Sequence, residues 1–367
     1  MPTLNTVTPR VFIAATRQNE GKTTTSLGLL SALQQFYPRI GYIKPVGQRF
    51  VQIEEQQIDE DTVLMDQVYQ LNCPLLDMSP IAVEPDFTRK YLQSSNNESL
   101  VKKIIKAFDR VAWEKDFVLC EGSGHAGVGS VFDLSNAQVA KILDAKVIII
   151  SQGGIGKPID EVYLNQAVFE REGVEVIGVI LNKVTHDKID YISEFARRGL
   201  KRKGLDLLGV LPLRHILSRP TVAAIQEELK ARSLNRSDQL NNMVASVVIG
   251  AMGAQNAVSR FKRGALVITP GDREDIVLAA VAAHEQGRQL AGMVLTDKIK
   301  PDNGVLRVIE KAAFPVLLAE EDSYEVASQV HNLSVKTHAA DTEKISVIRD
   351  LIATHVDVNK ILRALKL

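Results

Sequence analysis

The stretch from Arg10 to Phe36, RVFIAATRQNEGKTTTSLGLLSALQQF, constrains the fold more than any other part of the chain. Val11 to Ala15 is a short apolar run with the length of a buried strand. Mostly polar residues, Thr16 to Gly21, follow it, and then come Lys22, Thr23 and Thr24. Beyond them Leu27, Leu30, Leu33 and Phe36 recur at helical spacing. Strand, loop, Gly-Lys-Thr and helix form the context that a phosphate-binding loop requires. Backbone N–H groups of such a loop and of the helix N-terminus point at an anion, and the helix dipole favours it. Thr16, Gly21, Lys22, Thr23 and Thr24 are therefore candidate nucleotide-binding residues. Lys22 would reach the outer phosphates and Thr23 would offer its hydroxyl to Mg²⁺. The strict pattern has glycine where Thr16 stands, and the plainer alternative is a Gly-Lys-Thr that only opens a helix.

Further apolar runs read as strands: Ile40 to Val46, Phe117 to Cys120, Val147 to Ile150 and Val176 to Leu181. Each is nearly continuous, as expected for strands covered on both faces. Helical patterns such as Glu161 to Glu172 lie between them. The alternation predicts an α/β fold, a doubly wound and mostly parallel sheet, with ligands at the carboxyl ends of its strands. At 367 residues the chain is long enough for two domains. The polar stretch Lys230 to Asn242 places a boundary there. After it a second alternation runs through Val244 to Ile249, Ala265 to Thr269, Leu290 to Leu295 and Val316 to Ala319, with helical stretches Glu274 to Glu285 and Val305 to Ala313. The reading is thus a first domain over 9–230, a smaller α/β domain over 240–350 and a helical tail over 351–367.

Composition narrows the classes. Lys+Arg and Asp+Glu are equal at 44 each, so nothing in the charge balance points to nucleic acid or an anionic membrane. No apolar run is long enough to cross a bilayer, and MPTLNTVTPR has no apolar signal core, so a cytoplasmic protein is expected. Cys73 and Cys120 lack metal-ligand spacing, and a disulfide between them is left open. A homo-oligomer is also left open, because no interface is legible in the sequence.

Several residues outside the loop can carry chemistry. Lys44 ends the second strand and faces the crevice at the strands' carboxyl ends, where its ammonium could meet a phosphate or a substrate carboxylate. It is the candidate catalytic residue. Asp59, Glu60 and Asp61 precede a helix, where acids also belong for dipole reasons. Phosphate-bound Mg²⁺ takes one or two protein carboxylates. Asp61 is the choice within that cluster, and Glu121, beside Gly122 and Gly124 after the strand FVLC, is the second candidate metal ligand with Thr23. His125 reads equally as a loop residue or a catalytic one. Asn182 could read a purine edge or cap the next helix. Asp272 and Arg273 could bind a ligand or simply pair and cap.

Taken together, ATRQNEGKT, IKPVG, SPIAVEP, CEGSG and VILNKV resemble dethiobiotin synthetase in order and spacing, over roughly residues 9 to 230. The stretch SVVIGAMGAQNAVSRFKRGALVITPGDREDIVLAAVAA resembles the DRTGG domain, whose motif survives only as Asp272-Arg273. The two in this order look like the N-terminal portion of long bacterial phosphate acetyltransferases, and their acetyltransferase domain has no counterpart up to Leu367. The resemblance implies ATP held through Lys22 and Thr23, Mg²⁺ near Thr23, Asp61 and Glu121, and adenine contact by Asn182. Two departures fall on the substrate side. Gly47-Gln48-Arg49 stands where dethiobiotin synthetase has a serine, and Gly124-His125-Ala126-Gly127 alters the glycine-rich segment. Three functions follow from this: a nucleotide-responsive regulatory protein with a small-molecule or protein partner for its second domain, an ATP-dependent ligase that activates a carboxylate, and a scaffold with a structural nucleotide. An intact Gly-Lys-Thr disfavours the last, and the altered substrate side favours the first.

Overall fold

The computed structural model describes residues 4–94, 96–235, 238–333 and 335–367. The chain forms two units, Met1–Arg214 with Thr337–Leu367, and His215–Lys336.

The first unit is built on one parallel sheet. Its strands are β1 (Arg10–Ala15), β2 (Ile40–Ile43), β3 (Phe117–Glu121), β4 (Lys146–Gln152), β5 (Val176–Val184) and β6 (Leu207–Pro212), in the order β6-β5-β4-β1-β3-β2. Every residue of β1 is buried, which is why its sequence is apolar without alternation. From β1 the chain lays β2 and β3 on one side and β4 to β6 on the other. The order reverses beside β1, so a crevice opens at that strand's carboxyl end. The Thr16–Gly21 loop lies there and leads into α1 (Lys22–Gln34).

The run Ile40 to Val46 is not one strand. Its main-sheet part ends at Ile43, and Val46–Gly47 pairs instead with Ile81–Ala82. Pro45 has no N–H to donate and cannot continue a ladder, so the chain leaves the sheet at Lys44. A hairpin, Phe50–Ile53 with Gln56–Asp59, then delivers the chain to α2 (Glu60–Tyr69).

The tail forms two helices, α3 (Thr342–His355) and α4 (Val358–Leu365). Ile345, Ile348, Leu351 and Ile352 of α3 are buried in the first unit. Gly28 of α1 lets α3 come close: a Cβ there would sit 2.9 Å from Cβ of Ile352 and 3.0 Å from the carbonyl oxygen of Ile348. Val356 bridges Gly209 of β6, and the N–H of Asp357 donates to the carbonyl of Leu208 at 2.9 Å. Thr342–His355 therefore lies with the first unit, whereas the sequence reading carried the second domain through residue 350. The second unit interrupts the first in sequence.

That second unit has β7 (Arg232–Ser233), β8 (Ser246–Ile249), β9 (Ala265–Pro270), β10 (Gly292–Thr296) and β11 (Val316–Leu318), ordered β7-β11-β10-β9-β8. Only β7 runs antiparallel to its neighbour. Alternate side chains serve two layers, as strand geometry requires. Val267, Met293, Leu295 and Val316 pack with Ile276, Ala280, Ile309 and Phe314. Leu266, Ile268, Val294 and Leu317 pack with Val222, Ile225, Val326 and Val330. The polar stretch Lys230 to Asn242 lies inside this unit rather than between domains. Asn235 explains this: its amide donates to the carbonyl of Phe314 at 2.9 Å, and its oxygen accepts from the N–H of Val316 at 3.1 Å. Arg236 and Ser237 of that stretch lie outside the described residues, as do Met1, Pro2 and Thr3 of the N-terminal segment. Among the described residues, no helix is long and apolar enough to cross a membrane.

Candidate functional site

The loop after β1 is fastened from several directions. The N–H of Thr16 donates to the carbonyl of Ile150 at 2.9 Å, and its hydroxyl donates to Oγ of Ser151 at 3.2 Å. Thr16 thus ties the loop to β4, a use that glycine could not serve. Gly21 has φ of 96°, in the left-handed region, and a Cβ there would collide with the amide of Asn182. Asn182 is buried, donates to the carbonyl of Glu20 at 2.8 Å, and accepts from the N–H of Lys183 at 2.8 Å. Lys183 in turn donates to the carbonyl of Asn19 at 2.5 Å. The end of β5 therefore holds the loop in shape.

Helix α1 begins without a side-chain cap and with no acid in its first turn. Its first N–H groups have no helical partner and face the loop, which suits an anion. Lys22 is buried at 9% exposure beside this turn. Burial lowers its pKa, Glu121 pulls it back up and Lys44 adds to the lowering. An ammonium held in this way gains from an arriving phosphate.

Opposite the loop stands a charged cluster. Glu121 is fully buried at the end of β3. Its Oε1 accepts from the hydroxyl of Thr23 at 3.0 Å and its Oε2 accepts from the hydroxyl of Tyr42 at 3.1 Å. Burial raises the Glu121 pKa and Asp61 raises it further, while Lys44 and Lys22 oppose. Lys44 is buried and bridges to Asp59 Oδ1 at 3.0 Å and to Asp61. Burial alone would lower it, but Asp61, Asp59 and Glu121 outweigh that and hold it above the ordinary lysine value. The structure brings Lys22, Thr23, Lys44, Asp61 and Glu121 to one place. Among the described residues, no group of three or more His, Cys, Asp or Glu side chains is arranged to hold a metal by itself. A cation here would need oxygens from a ligand as well, in keeping with how Mg²⁺ binds phosphates.

Two residues of the cluster had not been singled out. Asp59 is 2% exposed, caps α2 by accepting from the N–H of Asp61, and has an Oδ2 with no hydrogen-bond partner. Its own N–H donates to Oγ of Ser79 at 3.0 Å. Gly47 makes room for it, since a Cβ there would lie 2.7 Å from Oδ2 of Asp59. The departure from serine is thus tied to a buried carboxylate. Tyr42 is the other. Only its position in the run IGYI, two residues before Lys44, hints at it.

Other candidates stand apart. His125 is exposed, and its Nδ1 accepts from the N–H of Gly127 at 3.2 Å, so it is a loop residue. In the second unit Arg273 pairs with Asp275 at 2.9 Å and donates to the carbonyls of Gly250 at 3.1 Å and Met252 at 2.8 Å. It ties down the turn after β8, while Asp272 is exposed. Cys73 and Cys120 are both free thiols, one half-buried and one buried.

Comparison with known proteins identifies the family of each unit. Residues 9–221 match the family model of an AAA domain and residues 224–333 that of the DRTGG domain. The phosphate acetyltransferase of Pseudomonas aeruginosa is 30% identical over 363 residues, covering 94% of this chain and 50% of the relative. That of Pseudomonas putida is 30% identical over 357 residues, with the same coverage of 94% and 50%. The chain thus spans about half the length of the curated relatives it matches. Among solved structures, MinD of Pyrococcus horikoshii, complexed with Mg-ADP, covers 57% of this chain and 84% of its own at 15% identity, with a TM-score of 0.37. The chain belongs to the AAA-domain family of dethiobiotin synthetase-like P-loop proteins and carries a DRTGG domain after it, the pair found at the N-terminus of long bacterial phosphate acetyltransferases.

Proposed function

We propose that this protein binds ATP with Mg²⁺ in its first unit and couples that binding to a ligand or protein partner of its second unit, as a cytoplasmic regulator linked to acetyl-phosphate metabolism. The observation that carries the reading is the uncapped start of α1, with Lys22 buried beside it and the Thr23–Glu121 pair alongside. Loop N–H groups and Lys22 would receive the phosphates, and Thr24 belongs to the same first turn. Thr23, Glu121 and Asp61 would serve Mg²⁺, whose bound form adds positive charge next to the phosphates. Tyr42 holds the Glu121 carboxylate in place. Lys44, paired with Asp59 and Asp61, is the cation that can turn toward a phosphoryl oxygen once those acids engage a metal. Asn182 keeps Gly21 and Glu20 in position, and its remaining amide proton is its means of meeting adenine. A second copy of the chain is the other partner proposed.

A ligase that activates a carboxylate is the second reading. It is favoured by a cleft of about 360 Å³ lined by Gln52, Gln57, Ser79, Glu84 and Lys103, next to Asp59 through the Ser79 bond. Gly47, which admits Asp59 where the synthetase has a serine, weighs against it. A thermal-shift screen of ATP with and without a panel of metabolites separates the two, because a ligand of the native state raises its apparent stability. Regulation predicts a metabolite that shifts ATP affinity, and linkage requires ATP to shift that metabolite's affinity equally. A metabolite consumed with ATP hydrolysis would favour the ligase instead.

A further inference from the structure

The cleft of about 360 Å³ in the first unit is walled by the hairpin, the Ser79–Glu84 segment and the helix Glu98–Ala112. None of Lys22, Lys44, Asp61 and Glu121 lines it, so its contents are not in the phosphate site. Its polar lining is Gln52, Glu55, Gln57, Ser79, Glu84 and Lys103. Gln52 and Gln57 stand directly opposite each other in the hairpin register, which puts both carboxamides on one face. Among the described residues, the side chains of Gln52, Glu55, Gln57, Glu84 and Lys103 make no hydrogen bond or ion pair within the protein. Leu76, Pro80 and Ala82 supply the apolar part of the wall.

These walls are bonded to the phosphate side at several points. Gln57 and Asp59 belong to one strand of the hairpin, and Asp59 Oδ1 pairs with Lys44 Nζ at 3.0 Å. Ser79 Oγ accepts from the N–H of Asp59 at 3.0 Å. The carbonyl of Met78, next to Ser79, accepts from the N–H of Lys44 at 2.8 Å, and the N–H of Val83 donates to the carbonyl of Gly47 at 2.9 Å. The hairpin pairs with no third strand, and a two-stranded ribbon is marginally stable on its own. A ligand that bridges it to Lys103 therefore acts on the grip of Asp59 on Lys44.

We propose that this cleft is a regulatory site for a small zwitterion, a free amino acid with a short aliphatic body, and that its occupancy weakens ATP binding. Lys103 and the two carboxamides receive the carboxylate, and Glu55 and Glu84 receive the ammonium. Leu76, Pro80 and Ala82 meet the aliphatic carbons. Two carboxylates against one ammonium disfavour a nucleotide or any dianion. A lone carboxylate would leave both glutamates uncompensated, and a lone amine would leave Lys103 so. The volume lies at the lower end of small-molecule sites, which suits a ligand of this size. Bridging the ribbon to the helix fixes Asp59 on Lys44, and Lys44 then stays with its acids instead of meeting a phosphate. This coupling rests on the reading that Lys44 turns toward the phosphates of ATP.

Calorimetry on the full chain without nucleotide tests the site. The probes are L-alanine, L-valine and L-leucine, with isovalerate and isobutylamine, each of which lacks one charge of valine. At least one amino acid should bind, and the two singly charged probes should bind about tenfold more weakly or worse, since each forfeits charge-assisted contacts. Lys103→Met keeps the aliphatic stem and should weaken that binding by about tenfold or more, as should Glu84→Gln. Lys102→Met, one residue away, removes an ammonium that pairs with Glu98 at 2.5 Å and should leave binding at the wild-type level. All three positions are exposed, and far-UV circular dichroism checks that the fold is retained. Failure of all three amino acids to bind, equal binding of isovalerate or isobutylamine, or binding that survives Lys103→Met would overturn the site. Titration of Mg-ATP with and without the amino acid tests the coupling, and affinity should fall by about fivefold or more. An unchanged ATP affinity would overturn the regulatory role. A chain that bound the amino acid but no ATP would contradict the nucleotide reading and leave the site supported.

Discussion

The contact between α1 and α3 supplies a prediction whose sign is unusual. Gly28 lies inside α1, where exchanging glycine for alanine ordinarily gains about 1 kcal/mol through helix propensity. Here the added methyl would press on Ile352 and on the carbonyl of Ile348. Backbone cannot yield as a flexible side chain does, so Gly28→Ala should destabilise by about 1–3 kcal/mol, as overpacking does. Ile352→Ala probes the same contact from the other side. Ile352 is 1% exposed, and its truncation should cost about 2–5 kcal/mol in lost transfer and cavity formation. Ending the chain at Lys336 removes seven buried aliphatics, namely Ile345, Ile348, Leu351, Ile352, Val356, Ile361 and Leu362. At roughly 1.5–3 kcal/mol each, their burial rivals the entire stability of a domain, about 5–15 kcal/mol, even as an upper bound. Urea unfolding followed by circular dichroism measures all three. Stabilisation by Gly28→Ala, or a first unit that unfolds at the wild-type midpoint when cut at Lys336, would refute the assignment of the tail to that unit.

Three further outcomes are expected. Glu121→Gln keeps the shape and removes the charge a hard cation needs, so it should weaken ATP binding by about tenfold or more with Mg²⁺ and much less without it. Equal losses in the two titrations would remove Glu121 from the metal role. Asn182→Ala leaves the buried carbonyl of Glu20 without its donor, which should cost about 1–3 kcal/mol in unfolding experiments and weaken ATP binding as the loop loosens. An unchanged affinity would show that the loop stands without it. In the second unit, burial holds His284 below the ordinary histidine value while Glu285 opposes, and its neutral Nδ1 accepts from the N–H of Leu290 at 3.1 Å. The unfolded chain therefore takes up the proton first as pH falls. Stability from this group is fully present above the folded-state value's unfolded counterpart, about 6.5, and is lost progressively below it. Melting of that unit between about pH 7 and about pH 5 should slope less in His284→Gln than in the wild type. Equal slopes would contradict the assignment.

What the sequence made legible was local. The phosphate loop, its flanking strand and helix, and Glu121 at a strand end follow from short patterns that fix their own geometry. Lys44 was legible because Pro45 ends its strand. Asp59 was not, because an acid before a helix reads as a cap, and its burial depends on Gly47 giving it room. Tyr42 reads as core, and only the fold points its hydroxyl at Glu121. Strand β6, LLGVLP, is a short apolar run with no motif beside it and was passed over. The return of α3 to α1 was invisible for a deeper reason. Apolar periodicity says that a helix has a face to bury but not which distant surface receives it. Asn235, likewise, looks like a linker residue until its three carbonyl partners, of Ile309, Ala312 and Phe314, are seen around it.

The central claim is that the loop before α1 holds the phosphates of ATP, and calorimetry of Lys22→Ala against wild type tests it most directly. The ammonium is buried beside the uncapped helix start, and removing it forfeits a charge-assisted contact of about 1.5–3 kcal/mol. The account predicts Mg-ATP affinity lower by about tenfold to more than a hundredfold, with the melting temperature of the free protein not lowered. Equal affinities in the two proteins, or no binding in either, would contradict it.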